Sequence, residues 1–261
     1  MATSLLEKTR KINRLLQRSE SVEYNDISRV LSAVLDANVY ITNEKGEISG
    51  YALVGDFECD LMLDKVISKK IFPKSYVNWL MRQDKTNANL HSKSGRCVYD
   101  GDVACMFKEK NTTIVPIYGV GERMGTLIVA KYDSLFDADD VLLAEYGATV
   151  IGMEMLRDKT KKIEIQAREK ATVQIALATL SYSEQKAVVK IFKKLEGSQG
   201  ELVASKIADE ENITRSVIVN ALRKFESAGV IEAKSLGMRG THIKVKNDYL
   251  LDEIKNIDKD L

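Results

Sequence analysis

The sequence predicts an α+β protein in two parts: an N-terminal domain built on one antiparallel sheet, then a long helix leading to a small C-terminal domain of helices and a β-hairpin. Three observations predict it. Apolar residues recur at helical spacing, then at alternate positions, then at helical spacing again over the first 160 residues. From Asp137 the helical pattern runs to about Leu180 without a break. The basic residues, balanced overall at 39 Lys+Arg against 38 Asp+Glu, gather near the C-terminal end.

Met1 to Arg18 carries Leu5, Leu6, Ile12, Leu15 and Leu16 on one helical face, and Asn25 to Asp36 repeats the pattern with Ile27, Val30, Leu31, Val34 and Leu35. Asn38 to Asn43 reads as a strand, Asn43 to Glu47 as a hairpin turn, and a second strand ends near Val54. Leu61 to Lys69 is helical, and Pro73 suits the first turn of a helix bearing Tyr76, Val77, Leu80 and Met81. Arg82 to Lys110 is polar and irregular. Thr112 to Tyr118 and Gly125 to Tyr132 are β runs, and Pro116, which has no N–H for a ladder, favours an edge strand or a bulge. The long helix that follows suits an interdomain connector better than a core element. This order resembles a GAF or PAS module, which implies a small-ligand pocket between sheet and crossing loops, with 82–110 as its lid.

The 261 residues fit one large or two modest domains, and 44% hydrophobic with 30% charged residues is a folded composition. No apolar run approaches the roughly 20 residues of a membrane span, and charge interrupts the first residues too early for a signal peptide. A cytoplasmic protein without a membrane anchor is expected. Three cysteines (Cys59, Cys97, Cys105) and two histidines support neither a disulfide framework nor a zinc site and are read as structural.

From Lys161 onward there are 18 basic and 15 acidic residues, against 21 and 23 before it. Between Thr214 and Lys246 seven basic residues face two acidic ones, so a charge of +5 sits on one short module, and phosphate is the partner such a patch fits. Glu201 to Asp209 is predicted as a helix, 210–213 as a turn, and Thr214 as N-cap of a second helix to about Ala228. At about 100° per residue Val217, Ile218, Ala221, Leu222, Phe225 and Ala228 share one sector, while Arg215, Ser216, Asn220, Arg223 and Ser227 project from the other. An extended run from Val230, a turn at 237–240 and Thr241 to Lys246 then form a wing. A winged helix-turn-helix places its second helix in the major groove of DNA and fixes register through phosphates. Ala204, Ser205, Lys206, Thr214, Arg215, Ser216, Val219, Asn220, Arg223 and Lys224 are the expected DNA-facing set, with Arg239 and Lys244 from the wing.

Other motifs carry less. The run 119–125 (GVGERMG) precedes a strand and has the wrong spacing for a dinucleotide fingerprint, so its glycines serve a hairpin. No phosphate-binding G-x-x-x-x-G-K-[ST] occurs, and 137–140 (DADD) lacks calcium-loop spacing. No catalytic grouping stands out, so an enzyme, including a GTP hydrolase, is not expected.

Several runs resemble the CodY family of bacterial global transcription regulators: 5–10 (LLEKTR), 121–127 (GERMGTL), 144–150 (AEYGATV), 204–209 (ASKIAD), 213–224 (ITRSVIVNALRK) and 235–241 (SLGMRGT). The resemblance spans the chain. It implies a homodimeric repressor, with tetramers left open, whose GAF domain binds branched-chain amino acids, chiefly isoleucine, and which also responds to GTP. For the amino acid it implies Met62, Phe72, Pro73, Tyr76, Cys97 and Tyr99. The family's arginine position is Leu61 or Met62 here, and Arg96 is the expected replacement cation. For GTP it implies Val22, Tyr24, Asn43, Lys45, Glu154 and Lys159. The family's basic hairpin is 43–47 (NEKGE) here, so Glu44 and Glu47 repel a triphosphate and a weak or absent GTP response is expected.

The expected organisation is a ligand-binding domain at 1–159, a linker helix at 160–180 and a DNA-binding domain at 181–261. The expected function is a regulator whose affinity for a double-stranded operator is raised by its effector. The alternative is a constitutive DNA-binding protein whose N-terminal domain only dimerises.

Overall fold

The computed structural model describes residues 4–17, 22–55, 59–91, 95–97, 99, 103–105, 107, 109–132, 134–195 and 197–260. The ends of the expected first helix, at 1–3 and 18, and parts of the expected lid, among them Val98 and Asp100, lie outside the described residues. The chain divides into two compact units, Met1–Thr160 and Lys161–Leu261.

In the first unit, α1 (Leu5–Leu16) starts at a capping box in which Ser4 and Glu7 satisfy each other's backbone N–H groups. Next come α2 (Tyr24–Leu35), β1 (Asn38–Asn43), β2 (Ile48–Ala52) and α3 (Asp60–Met62). The helical stretch expected from Leu61 continues as a π-turn at Leu63–Ile67. Pro73 is the N-cap of α4 (Lys74–Met81) and stands just outside the first turn expected for it. β3 (Asn87–Leu90), β4 (Asn111–Gly119) and β5 (Glu122–Lys131) follow, and the antiparallel sheet runs β2-β1-β5-β4-β3.

Two expectations change here. The stretch read as irregular contains β3, a short strand of two asparagines, alanine and leucine that no alternation announces. It flanks β4, so β4 is not an edge strand; β3's partners stop at Ile114, however, and Pro116 falls beyond them, one residue from the register shift at Ile117/Tyr118.

The sheet separates two cores by alternation along each strand. Val39, Ile41, Val115, Ile117, Leu127 and Val129 pack on one face with α1, α2 and the long helix α5 (Ala138–Ala178). Tyr40, Ile114 and Ile128 pack on the other with Met62, Val66, Phe72, Tyr76, Val77 and Leu80. α5 is more than a connector: Leu143, Ala144, Ala148, Val150, Ile151 and Met155 are buried in the first core. It comes so close to β4 that a Cβ on Gly152 would lie 2.3 Å from the Tyr118 carbonyl oxygen.

In the second unit the last turns of α5 are core as well. Val173, Ala176, Leu177 and Leu180 join one apolar cluster with α6 (Tyr182–Lys194), so the residues expected as a linker are built into this unit. β6 (Gln199–Leu202) takes the first residues expected of the first helix of the helix-turn-helix, and that helix, α7 (Ala204–Glu211), starts later and ends later than expected. Asn212, in the left-handed conformation at φ 53°, turns the chain into α8 (Arg215–Ser227). β7 (Ile231–Ser235) and β8 (Thr241–Val245) form the wing, β6 completes a sheet of order β6-β8-β7, and α9 (Tyr249–Asp260) closes the core with Leu250 and Ile254. β6, α6 and α9 were not anticipated.

Candidate nucleic-acid interface and effector cavity

α8 is amphipathic in the way its sequence demands. Ile218, Ala221, Leu222 and Phe225 are buried, while Arg215, Ser216, Asn220 and Arg223 are exposed and Val219 is half-buried. Thr214 is the N-cap; its hydroxyl meets the Ser216 hydroxyl at 2.8 Å and makes no side-chain capping bond. On α7, Ser205 and Lys206 are exposed and Ala204 is half-buried. Arg239 and Lys244 are exposed on the wing.

Lys224 differs from the other cations expected to face DNA. Its ammonium donates to Glu184 Oε2 at 2.7 Å and to the Thr179 carbonyl at 2.9 Å, pinning α8 to the start of α6. Burial disfavours the Glu184 carboxylate, but Lys224 and the Ser181 backbone and hydroxyl outweigh it and hold the carboxyl below its usual range. Lys224 is thus a tie within the domain, and the spacing that put it beside Arg223 could not reveal its partner 40 residues away.

The first unit holds a cavity against the α3/α4 face of the sheet. Met62, Cys97 and Tyr99 of the expected amino-acid set line it, together with Tyr40, Cys59, Cys105, Phe107, Lys110, Thr112, Ile128, Ala130 and Tyr132. Phe72 and Tyr76 stand behind Tyr99, ring centroids 5.8 and 5.4 Å away. Burial raises the Tyr40 and Tyr99 hydroxyls well above their usual range, so both stay protonated donors. The cavity volume is about 30 Å³. That is room for about one water molecule, so a free amino acid fits only when the lining moves apart.

Arg96 does not supply the cation expected of it. The Cys97 N–H donates to the Val103 carbonyl and the Cys105 N–H to the Gly95 carbonyl, each at 2.8 Å, and Arg96 bridges Ala104. Strand alternation then puts Cys97 and Cys105 on one face and Arg96 on the opposite, exposed one. Lys110, which lines the cavity with its ammonium 5.7 Å from the Tyr99 ring centroid, was missed. Tyr40, Ile128, Ala130 and Thr112 were missed too, although they alternate with core residues along β1, β5 and β4 and were findable by period two.

The expected nucleotide residues fall into separate ion pairs and hydrogen bonds. The Val22 N–H donates to Glu154 Oε1 at 3.1 Å, and the Tyr24 hydroxyl donates to Asp158 at 2.7 Å, its pKa raised by burial and by that carboxylate. Lys159 pairs with Glu122 at 2.6 Å. In the hairpin, Asn43 donates to Glu47 at 2.6 Å and accepts from the Lys45 N–H at 2.9 Å. Each named group therefore has an internal partner, and the partners are carboxylates in most cases.

Among the described residues no helix is long and apolar enough to cross a membrane, and no group of His, Cys, Asp or Glu is placed to hold a metal. Comparison with known proteins agrees with this layout. Residues 4–179 match the CodY GAF-like domain and 198–258 the CodY helix-turn-helix domain. The global transcriptional regulator CodY of Clostridium tetani is 56% identical over 257 residues, covering 98% of this chain and 99% of that one. Its Clostridium perfringens counterpart is 53% identical with the same coverage. Among solved structures, the cofactor-binding GAF domain of the nutrient sensor CodY from Clostridium difficile is 33% identical over 59% of this chain and 99% of that one, with a TM-score of 0.40.

Proposed function

The chain belongs to the CodY family of global transcriptional regulators, and from that premise we propose that it is a homodimeric regulator, mainly a repressor, whose operator affinity is raised by branched-chain amino acids, chiefly isoleucine. The observation that carries the DNA-binding part is the exposed Arg215, Ser216, Asn220 and Arg223 face of α8, backed by an apolar opposite face, with Lys206 exposed on α7 and Arg239 and Lys244 exposed on the wing. Such a face reads base edges and phosphates in a major groove. In this reading the first unit, 1–160, senses, and the second, 161–261, which includes the residues expected as a linker, binds DNA.

The amino-acid part draws on the cavity. An amino-acid ligand needs a cation or backbone donors for its carboxylate and an apolar wall for its side chain. Lys110 with Tyr40, Tyr99 and Tyr132 answers the first need, and Met62, Ile128 and Phe107 answer the second. Because the cavity must open, the effector acts by favouring the opened arrangement, and 1–3 kcal/mol of coupling, about 5- to 150-fold in operator affinity, is the usual range. GTP is a weak effector or none, since Lys159 and Asn43 are already engaged by carboxylates.

The test pairs thermal shift with operator gel shift, adding isoleucine, valine, leucine and GTP singly and together. Isoleucine raises the melting temperature and tightens operator binding, while GTP alone shifts neither. DNA binding indifferent to every amino acid would leave a constitutive DNA-binding protein, and micromolar GTP affinity at physiological salt would reject the nucleotide reading. Lys110→Met, at unchanged stability, abolishes the isoleucine shift.

A further inference from the structure

All three cysteines of the chain, Cys59, Cys97 and Cys105, line a single small cavity in the first unit, and all three are free thiols. Sequence spacing hides this, because Cys59 enters from the N-cap of α3 while Cys97 and Cys105 enter from the bridged segment at 95–105. We propose that the cavity is a thiol-oxidation site, in which a peroxide converts Cys59 and Cys105 to an intramolecular disulfide that ties the lid segment to α3.

The pairing follows from shared lining of the cavity, from the spacing of Cys97 and Cys105, and from access. Cys97 and Cys105 are diagonal neighbours across their bridge, about 7–8 Å apart by standard strand geometry, beyond the roughly 4.4–6.8 Å between Cα atoms that a disulfide spans. Cys97 is also buried at 8% exposure, whereas Cys59 and Cys105 are both partly open to solvent. Cys105 is held in place on this face, its N–H on the Gly95 carbonyl and its Sγ 3.6 Å from the Phe107 carbonyl oxygen.

The chemistry balances with a peroxide as oxidant. One thiolate sulfur attacks a peroxide oxygen, the O–O bond breaks, and a sulfenic acid and one water form once a proton is taken up. The second thiol sulfur then attacks the sulfenic sulfur, the S–O bond breaks, and the hydroxyl leaves with the thiol proton as a second water. Two sulfurs lose two electrons in all and the peroxide gains them. Lys110 also lines the cavity, so a cation shares the chamber with the thiols.

Two readouts on the full-length protein keep this inference separate from the effector reading, on which only its second part rests. In the first, dilute hydrogen peroxide lowers the free-thiol count from three to one, and non-reducing peptide mapping finds Cys59 joined to Cys105. Cys97→Ser still forms that disulfide, while Cys59→Ser and Cys105→Ser form none, and dithiothreitol restores all thiols. Cross-linked dimers only, overoxidised single thiols, or a disulfide that survives in Cys59→Ser would overturn the proposal. In the second, oxidation removes the isoleucine-induced thermal shift of the wild-type protein and leaves that of Cys105→Ser intact. An isoleucine shift unchanged by a fully formed disulfide would overturn the coupling alone, and no isoleucine shift before oxidation would count against the effector reading instead.

Discussion

Arg223 and Lys224 are adjacent on α8, carry the same charge, and are expected to fail in opposite ways. Arg223 projects to solvent, so in the proposed reading Arg223→Ala removes a DNA contact and little else. A lost base contact costs about 1–3 kcal/mol and a lost phosphate contact lowers the log–log salt slope by about 0.9, while a surface truncation leaves stability within about 0.5 kcal/mol. Lys224→Ala removes the bonds to Glu184 and the Thr179 carbonyl. Breaking a fully buried pair costs about 3–5 kcal/mol and an exposed one about 0–1. With the Glu184 side chain 9% exposed and that of Lys224 40%, the cost lies between, at about 2 kcal/mol. Urea melts and operator-binding anisotropy over a salt series separate the two. Equal loss of stability in both variants, or weaker operator binding by Lys224→Ala at temperatures where it is fully folded, would refute this division of labour.

The pH dependence of that pair follows from the carboxylate, whose folded pKa is depressed below the ordinary 4.5. Its contribution is complete above the unfolded value and is lost as pH falls through the folded one, so wild type and Lys224→Ala differ most above about pH 5.5 and converge in acid. Gly152→Ala gains about 1 kcal/mol of helix propensity but drives a Cβ to 2.3 Å from the Tyr118 carbonyl oxygen, where overpacking costs up to about 3 kcal/mol; a net loss of about 2 kcal/mol is expected in urea melts. Val120, 88% exposed with φ 50° in the β4–β5 turn, is a β-branched residue in a left-handed conformation, and Val120→Asn is expected to raise stability by about 1 kcal/mol in the same assay.

How much was legible in the sequence depended on whether a signal was local. The amphipathic face of α8 was readable because helical period and burial coincide along a single element. The sheet was readable where Val, Ile and Leu alternate or run together, and β3 was not, since Asn87 to Leu90 has no pattern and becomes a strand only by pairing with Ile114 and Thr112. The DNA-facing list could not tell Arg223 from Lys224, whose acceptors lie on α6 and at Thr179. Arg96 is the cation expected for the amino acid's carboxylate, but it neighbours Cys97 in an extended segment, where adjacent side chains point to opposite faces. Lys110 was passed over as the end of a polar loop. The three thiols, separated in sequence, come to line one cavity only in the fold.

Val39 and Ile41 lie against the helical layer that includes α5, and Tyr40 between them forms part of the effector cavity's wall. The same seesaw recurs on β5, with Leu127 and Val129 on one side and Ile128 on the other. The partition between chamber and lever is therefore one residue thick, a diaphragm with no slack layer in which a displacement could dissipate. In the proposed reading, widening the chamber presses the alternate side chains of the strands on the helical layer, so enlarging or trimming Leu127 or Val129 is expected to change the isoleucine-induced thermal shift without touching a wall of the chamber.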